Sequence, residues 1–129
     1  MVSWRDVLRR LKEEIDDLSV RCSCVDEADQ AVAKLEYADL SSPMELDKCS
    51  SCMLMELLNE FSEVIFVPIT SSLVSTELYV LDDVVIELGD GVGHVVARSE
   101  ARRLVERLRE LGFEIDDSII EVIERRPGV

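Results

Sequence analysis

EVIFVPITSSLVSTELYVLDDVVIELGDGVGHVVAR, residues 63–98, is the stretch on which the fold turns. Its apolar positions stop recurring every three or four residues and take up the spacing of strands. Residues 63–69 are β-branched and almost continuously apolar, which predicts a strand covered on both faces, with Pro68 near its end or on an edge. Residues 74–81 alternate imperfectly, and Asp82 and Asp83 then turn the chain into 84–88. Gly89, Asp90 and Gly91 read as a hairpin turn leading into 94–98. About four strands in succession, joined by short turns, predict a mostly antiparallel meander.

On either side of this stretch the period is helical. Trp4, Val7, Leu8, Leu11, Ile15 and Leu18 predict a helix over 3–19, with Ser3 and Asp6 as its N-terminal cap. Asp26 can start a second helix, whose Ala28, Ala31, Val32 and Leu35 form one face and which ends near Tyr37. Ser42, Pro43 and Glu45 spell a capping box with proline at the first helical position, predicting a third helix from Pro43 to Phe61. Its stripe is Leu46, Cys49, Met53, Leu57 and Phe61, widened by Leu54 and Leu58. Downstream, Ser99 can cap a helix carrying Leu104, Val105, Leu108 and Leu111, and Gly112–Phe113 reads as its stop. Residues 116–126 combine a capping box at Ser118 and Glu121 with a β-branched run; helix is the favoured reading over 118–126. The chain thus reads as a single domain, 1–129, of the α+β class. A helical N-terminal half (about 1–62) and a C-terminal helix pack against a sheet formed within 63–98.

Composition narrows function by exclusion. With 28 acidic residues against 14 basic ones, the formal charge is -14, and such a field repels phosphate backbones and anionic lipid surfaces. Neither a nucleic acid nor a membrane is an expected partner. Arg98, Arg102, Arg103, Arg107 and Arg109 are interleaved with Glu100, Glu106 and Glu110, which predicts a solvated, ion-paired face. A single Gln and a single Asn, with 11 Arg against 3 Lys, match the bias of thermophile proteins. The first 17 residues are amphipathic and acid-rich, unlike a signal peptide or a membrane span, so a cytoplasmic location is expected. Disulfides are rare in that compartment except in hyperthermophiles.

All four cysteines fall in two close pairs, Cys22 with Cys24 and Cys49 with Cys52. Two such pairs, far apart in sequence, are what a four-thiolate zinc site requires, because each segment supplies two ligands and the metal closes the loop between them. A redox dithiol at Cys49 and Cys52 would need its helix to begin near Cys49 rather than at Pro43, so that the positive helix end meets the sulfur. The third reading is core packing, or disulfides between the segment near residue 23 and the third helix. A Cys24–Cys49 bridge would stabilise by about 3–4 kcal/mol on a chain-entropy account. The sequence leaves all three open.

The remaining motifs point to structure. Residues 89–94 (GDGVGH) lead into a strand, unlike phosphate loops, which lead into a helix. His94, the one histidine, has no nucleophile placed beside it by any motif. The acidic doublets, Asp82–Asp83 among them, lack the spacing of a calcium loop. Met44, Met53 and Met55 make the third helix unusually apolar, a surface that could meet a second copy or a protein partner. The expected function is therefore a non-enzymatic interaction or assembly module that self-associates. The alternative is a cysteine-dependent site: structural zinc on Cys22, Cys24, Cys49 and Cys52, or a dithiol redox protein.

Overall fold

A computed structural model describes residues 2–71, 74–89 and 93–125. It is an α+β fold in three layers. The helices α1 (Trp4–Glu13), α2 (Ile15–Arg21), α3 (Ala28–Glu36) and α4 (Lys48–Leu58) cover one face of a five-stranded sheet. The strands are β1 (Met44–Glu45), β2 (Ile65–Thr70), β3 (Ser75–Val80), β4 (Val84–Gly89) and β5 (His94–Ala97). A short 3-10 turn leads into α5 (Ala101–Glu110), which covers the other face together with α6 (Asp117–Glu124).

The sheet order is β1-β5-β4-β3-β2, antiparallel throughout, so β2 to β5 form the expected meander. Alternation along the strands divides the core in two. Tyr79, Leu81, Val84, Ile86, Leu88 and Val95 pack with the N-terminal helices, while Leu78, Val80, Val85 and Val96 pack with α5 and α6. The three inner strands, β3, β4 and β5, therefore carry apolar side chains on both faces.

Several expectations are corrected. The helix read over 3–19 breaks at Glu14 into α1 and α2. The strand expected to be covered on both faces is instead an edge: Ile65 is 40% exposed and Phe66 50%, the latter set edge-on against Tyr79. Pro68 does lie on an edge, as expected. Ser71 donates its backbone N–H to Val74 O, and counting back along the antiparallel ladder from that pair aims the backbone nitrogen of Pro68 at the free side. The edge thus lacks a donor at its centre, which disfavours the addition of another strand. The Gly89 to Gly91 turn lies mostly outside the described residues.

At the helix ends, Ser3 and Asp6 form the expected capping box, and Asp6 is held below the ordinary carboxylate range by hydrogen bonds from the Ser3 backbone and side chain. Residues 117–124 are helical, but Asp116 rather than Ser118 caps them by accepting from the Ile119 N–H. Gly112 adopts φ +95, and the N–H groups of Gly112 and Phe113 bond back to Arg109 O and Leu108 O, completing the stop expected after α5.

Arg98 departs from the solvated face assigned to it. Its guanidinium donates to Leu81 O at 3.0 Å, to Ile123 O at 2.6 Å, to Val122 O at 3.0 Å and to Arg125 O. It joins the end of β3 to the last turn of α6, where carbonyls lack helical partners and the dipole favours a cation. Partial burial lowers its pKa from the ordinary arginine value, yet it remains charged. Hydrogen bonds from a charged donor are worth about 1.5–3 kcal/mol, so Arg98→Ala should destabilise by about 2–3 kcal/mol. Hydrogen exchange should show α6 amides opening first, and Arg98→Lys should recover little, because one ammonium cannot span the carbonyls.

Candidate functional site: a doubly bridged cysteine cluster

The third helix does not begin at Pro43. Met44 and Glu45 pair with Val95 and His94, and the Leu46 N–H donates to Gly93 O at 2.8 Å, so the sheet edge takes the backbone that the capping box would have used. A side chain at Gly93 would put its Cβ 2.8 Å from Glu87 O, so only glycine lets the chain pass this close. The helix starts once the chain is clear of the sheet. Asp47, in extended conformation, caps α4 by accepting from the Ser50 N–H at 2.7 Å. Cys49 is therefore the second helical residue, with Cys52 one turn further on.

The opposing segment is a tight turn at the end of α2. The Ser23 and Cys24 N–H groups bond to Val20 O and Ser19 O, the same pattern that follows α5, but the left-handed position is filled by Ser23 at φ 53 instead of glycine. That conformation costs a residue with a Cβ about 1–2 kcal/mol. It places Cys22 and Cys24 across from α4, where Cys22 bonds to Cys52 and Cys24 to Cys49, with Cα separations of 5.9 and 5.8 Å. The convergence of all four cysteines is as expected, and of the three readings the sequence left open the structure adopts disulfides between the two segments, Cys24–Cys49 among them. The Cys49–Cys52 dithiol is not the pairing adopted, although the helix start it required is present.

The two bridges sit in different surroundings. Cys24 and Cys49 are 7% and 8% exposed, whereas Cys22 and Cys52 are partly open to solvent. They border a cleft of about 530 Å³ that also contains Glu27, Asp47, Lys34 and Lys48. Two of the chain's three lysines thus line the same cleft as the cysteines, a feature that sequence reading missed because Lys34 lies on a different helix. Val20 and Val25, at 67% and 60% exposed, flank the cysteine turn. With the sulfurs paired, no group of three or more His, Cys, Asp or Glu side chains among the described residues could hold a metal ion.

His94 has partners that its sequence neighbourhood did not indicate. Its Nδ1 lies 2.7 Å from Glu87 Oε1, and Glu87 Oε2 accepts from the Thr76 hydroxyl at 2.8 Å. All three side chains are buried and tie β3, β4 and β5 together. The one sequence signal was a single glutamate inside the apolar run VVIEL. The Asp82–Asp83 turn lies at the other end of β4, where Asp83 accepts from the Trp4 N–H at 2.8 Å. The structure therefore does not bring His94 and these aspartates together. The methionine and leucine stripe of α4 is core: Met53, Leu54, Leu57 and Leu58 are buried, and Met55 alone of these residues is exposed.

Comparison with known proteins found no matching family model, no matching curated protein and no matching solved structure.

If Ser23 carries strain, Ser23→Gly should leave the denaturation midpoint unchanged or higher. Ser23→Val should cost about 1–2 kcal/mol, since a β-branched side chain is least tolerant of the left-handed region. Urea titration of both variants with the bridges intact measures this.

Proposed function

We propose that the cysteine cluster is the working part of this protein and that it acts as a thiol–disulfide site, with Cys22–Cys52 as the bridge that exchanges with a partner. One observation carries this reading. All four cysteines converge in adjacent bridges beside a cleft that also holds two lysines, and the bridges differ in exposure.

The two bridges do not stabilise independently of one another. They close nested loops of 30 and 25 residues, so once one is formed the other closes only a small remaining ring. On the chain-entropy account it then adds about 1 kcal/mol less than it would alone. The exchange begins when a partner thiolate attacks one sulfur of Cys22–Cys52, forming a mixed disulfide and releasing the other sulfur as a thiolate. The partner's second thiolate then displaces the remaining cysteine. The partner leaves as a disulfide, and Cys22 and Cys52 have gained two electrons and two protons. Lys34 and Lys48 favour the released anion, and the exposed Val20 and Val25 offer apolar contact to a docking segment.

The test is equilibration across a series of thiol redox buffers, with alkylation and mass mapping of each cysteine. Cys22 and Cys52 should open first, at a potential less negative than about -300 mV. If both bridges stay closed to more negative potentials, they are structural cross-links and the proposal fails.

A second reading is the self-associating assembly module without enzymatic chemistry. The apolar surface that favours it is the exposed Ile65 and Phe66 on β2, not the buried stripe of α4. Light scattering at micromolar concentration should show a dimer or larger species that Phe66→Glu dissociates. A wild-type chain that is monomeric throughout removes this reading.

A further inference from the structure

We infer that the reduced protein binds one divalent metal ion of the zinc class between the thiolates of Cys22, Cys24, Cys49 and Cys52, so that the cluster alternates between a doubly bridged state and a metal-bound state. This rests on the bridges being reducible, as proposed above.

The geometry that makes two bridges also supplies four converging ligands. The Cα atoms of each bonded pair are 5.9 and 5.8 Å apart, and the pairs are joined by one residue on one side and one helical turn on the other. A tetrahedral site with metal–sulfur bonds of about 2.3 Å needs sulfurs about 3.8 Å apart. Reduction breaks the two S–S bonds and leaves each sulfur free to rotate toward that separation. The tight turn that places Cys22 and Cys24 on one side of the cleft, and the first turn of α4 that places Cys49 and Cys52 on the other, present two ligands each.

Charge and access agree with this. A divalent ion with four thiolates carries a net charge of about -2, which is costly to bury unless cations or dipoles face it. Lys34, Lys48 and the positive end of α4 face the site, set against Glu27 and Asp47. Lys34 and Lys48 offset Glu27 and Asp47, so the charged side chains lining this cleft sum to zero in a chain of net charge -14. All four cysteines line the cleft, Cys22 and Cys52 being the more exposed, which gives the ion a path inward.

Two partner dithiols supply four electrons and four protons, converting two disulfides to four thiols, and the metal then displaces up to four protons as it binds. Thiol oxidation by a disulfide reverses the sequence and releases the ion.

The experiment reduces the full chain anaerobically with a phosphine, removes the reductant and titrates cobalt and then zinc. Expected are one ion per chain by native mass spectrometry, a near-ultraviolet thiolate-to-cobalt band with tetrahedral absorption in the red, and four thiols protected from alkylation. Cys24→Ser and Cys52→Ser should each weaken binding roughly tenfold or more. If the reduced chain loses structure, recovery of its circular dichroism on adding zinc supports the site, and failure to recover counts against it. Four thiols that alkylate at full rate in excess zinc, or a cobalt spectrum without the thiolate band, overturn the metal site and leave thiol exchange standing. Bridges that resist the phosphine altogether end both proposals.

Discussion

Two residues of backbone pairing set the geometry of the cysteine cluster. By adding to the edge of the sheet beside β5, Met44 and Glu45 delay the start of α4 until Lys48, and Asp47 then provides the cap. Had the helix started at Pro43, Cys49 would have lain two turns inside it, away from the positive end. Instead both sulfurs of the Cys49–Cys52 pair lie within the first turns, facing the turn that ends α2. Sheet pairing prevails because it satisfies the backbone of β5, whose His94 and Val95 are buried and where an unpaired N–H or C=O is expensive, whereas a capping box contributes about 1 kcal/mol at an exposed helix end.

The chain uses one helix-ending motif twice, with different residues and different consequences. After α5 the left-handed position is Gly112, the residue that adopts it without penalty, and an apolar Phe113 follows. After α2 the same hydrogen bonds are made, but Ser23 holds the left-handed conformation between two cysteines. Strain of this kind persists only where the surroundings over-determine it, and here two covalent bridges do so. The turn is rigid because both of its neighbours are bonded to α4.

Inside this acidic chain, charge is spent in few places. Arg98 gathers carbonyls from β3 and from the end of α6, and Glu87 joins His94 to Thr76 across three strands. Each is a charged or polar group whose partners come from distant segments, which is how a buried polar group is tolerated. Some of the remaining ion pairs, such as Lys12 with Glu36 and Arg21 with Glu56, join helices of the N-terminal layer at the surface, where screening limits their worth. They adjust the packing of the N-terminal layer more than they hold it together.

The period of the apolar residues was enough to determine the α+β class, the meander of β2 to β5, the capping box at Ser3 and the stop at Gly112, because each depends on residues within a few positions of one another. The same is true of the cysteine pairs as pairs. Tertiary structure alone decided that Pro43 starts no helix, that β2 is uncovered at Ile65 and Phe66, that Arg98 is a clamp, and that Lys34 joins Lys48 in the cleft lined by the cysteines. It also decided that each cysteine bonds across to the other segment instead of to its neighbour. The physical reason is common to all of these: strand pairing, burial and covalent bridging act between residues far apart along the chain, and their energies exceed the local preferences that a sequence displays.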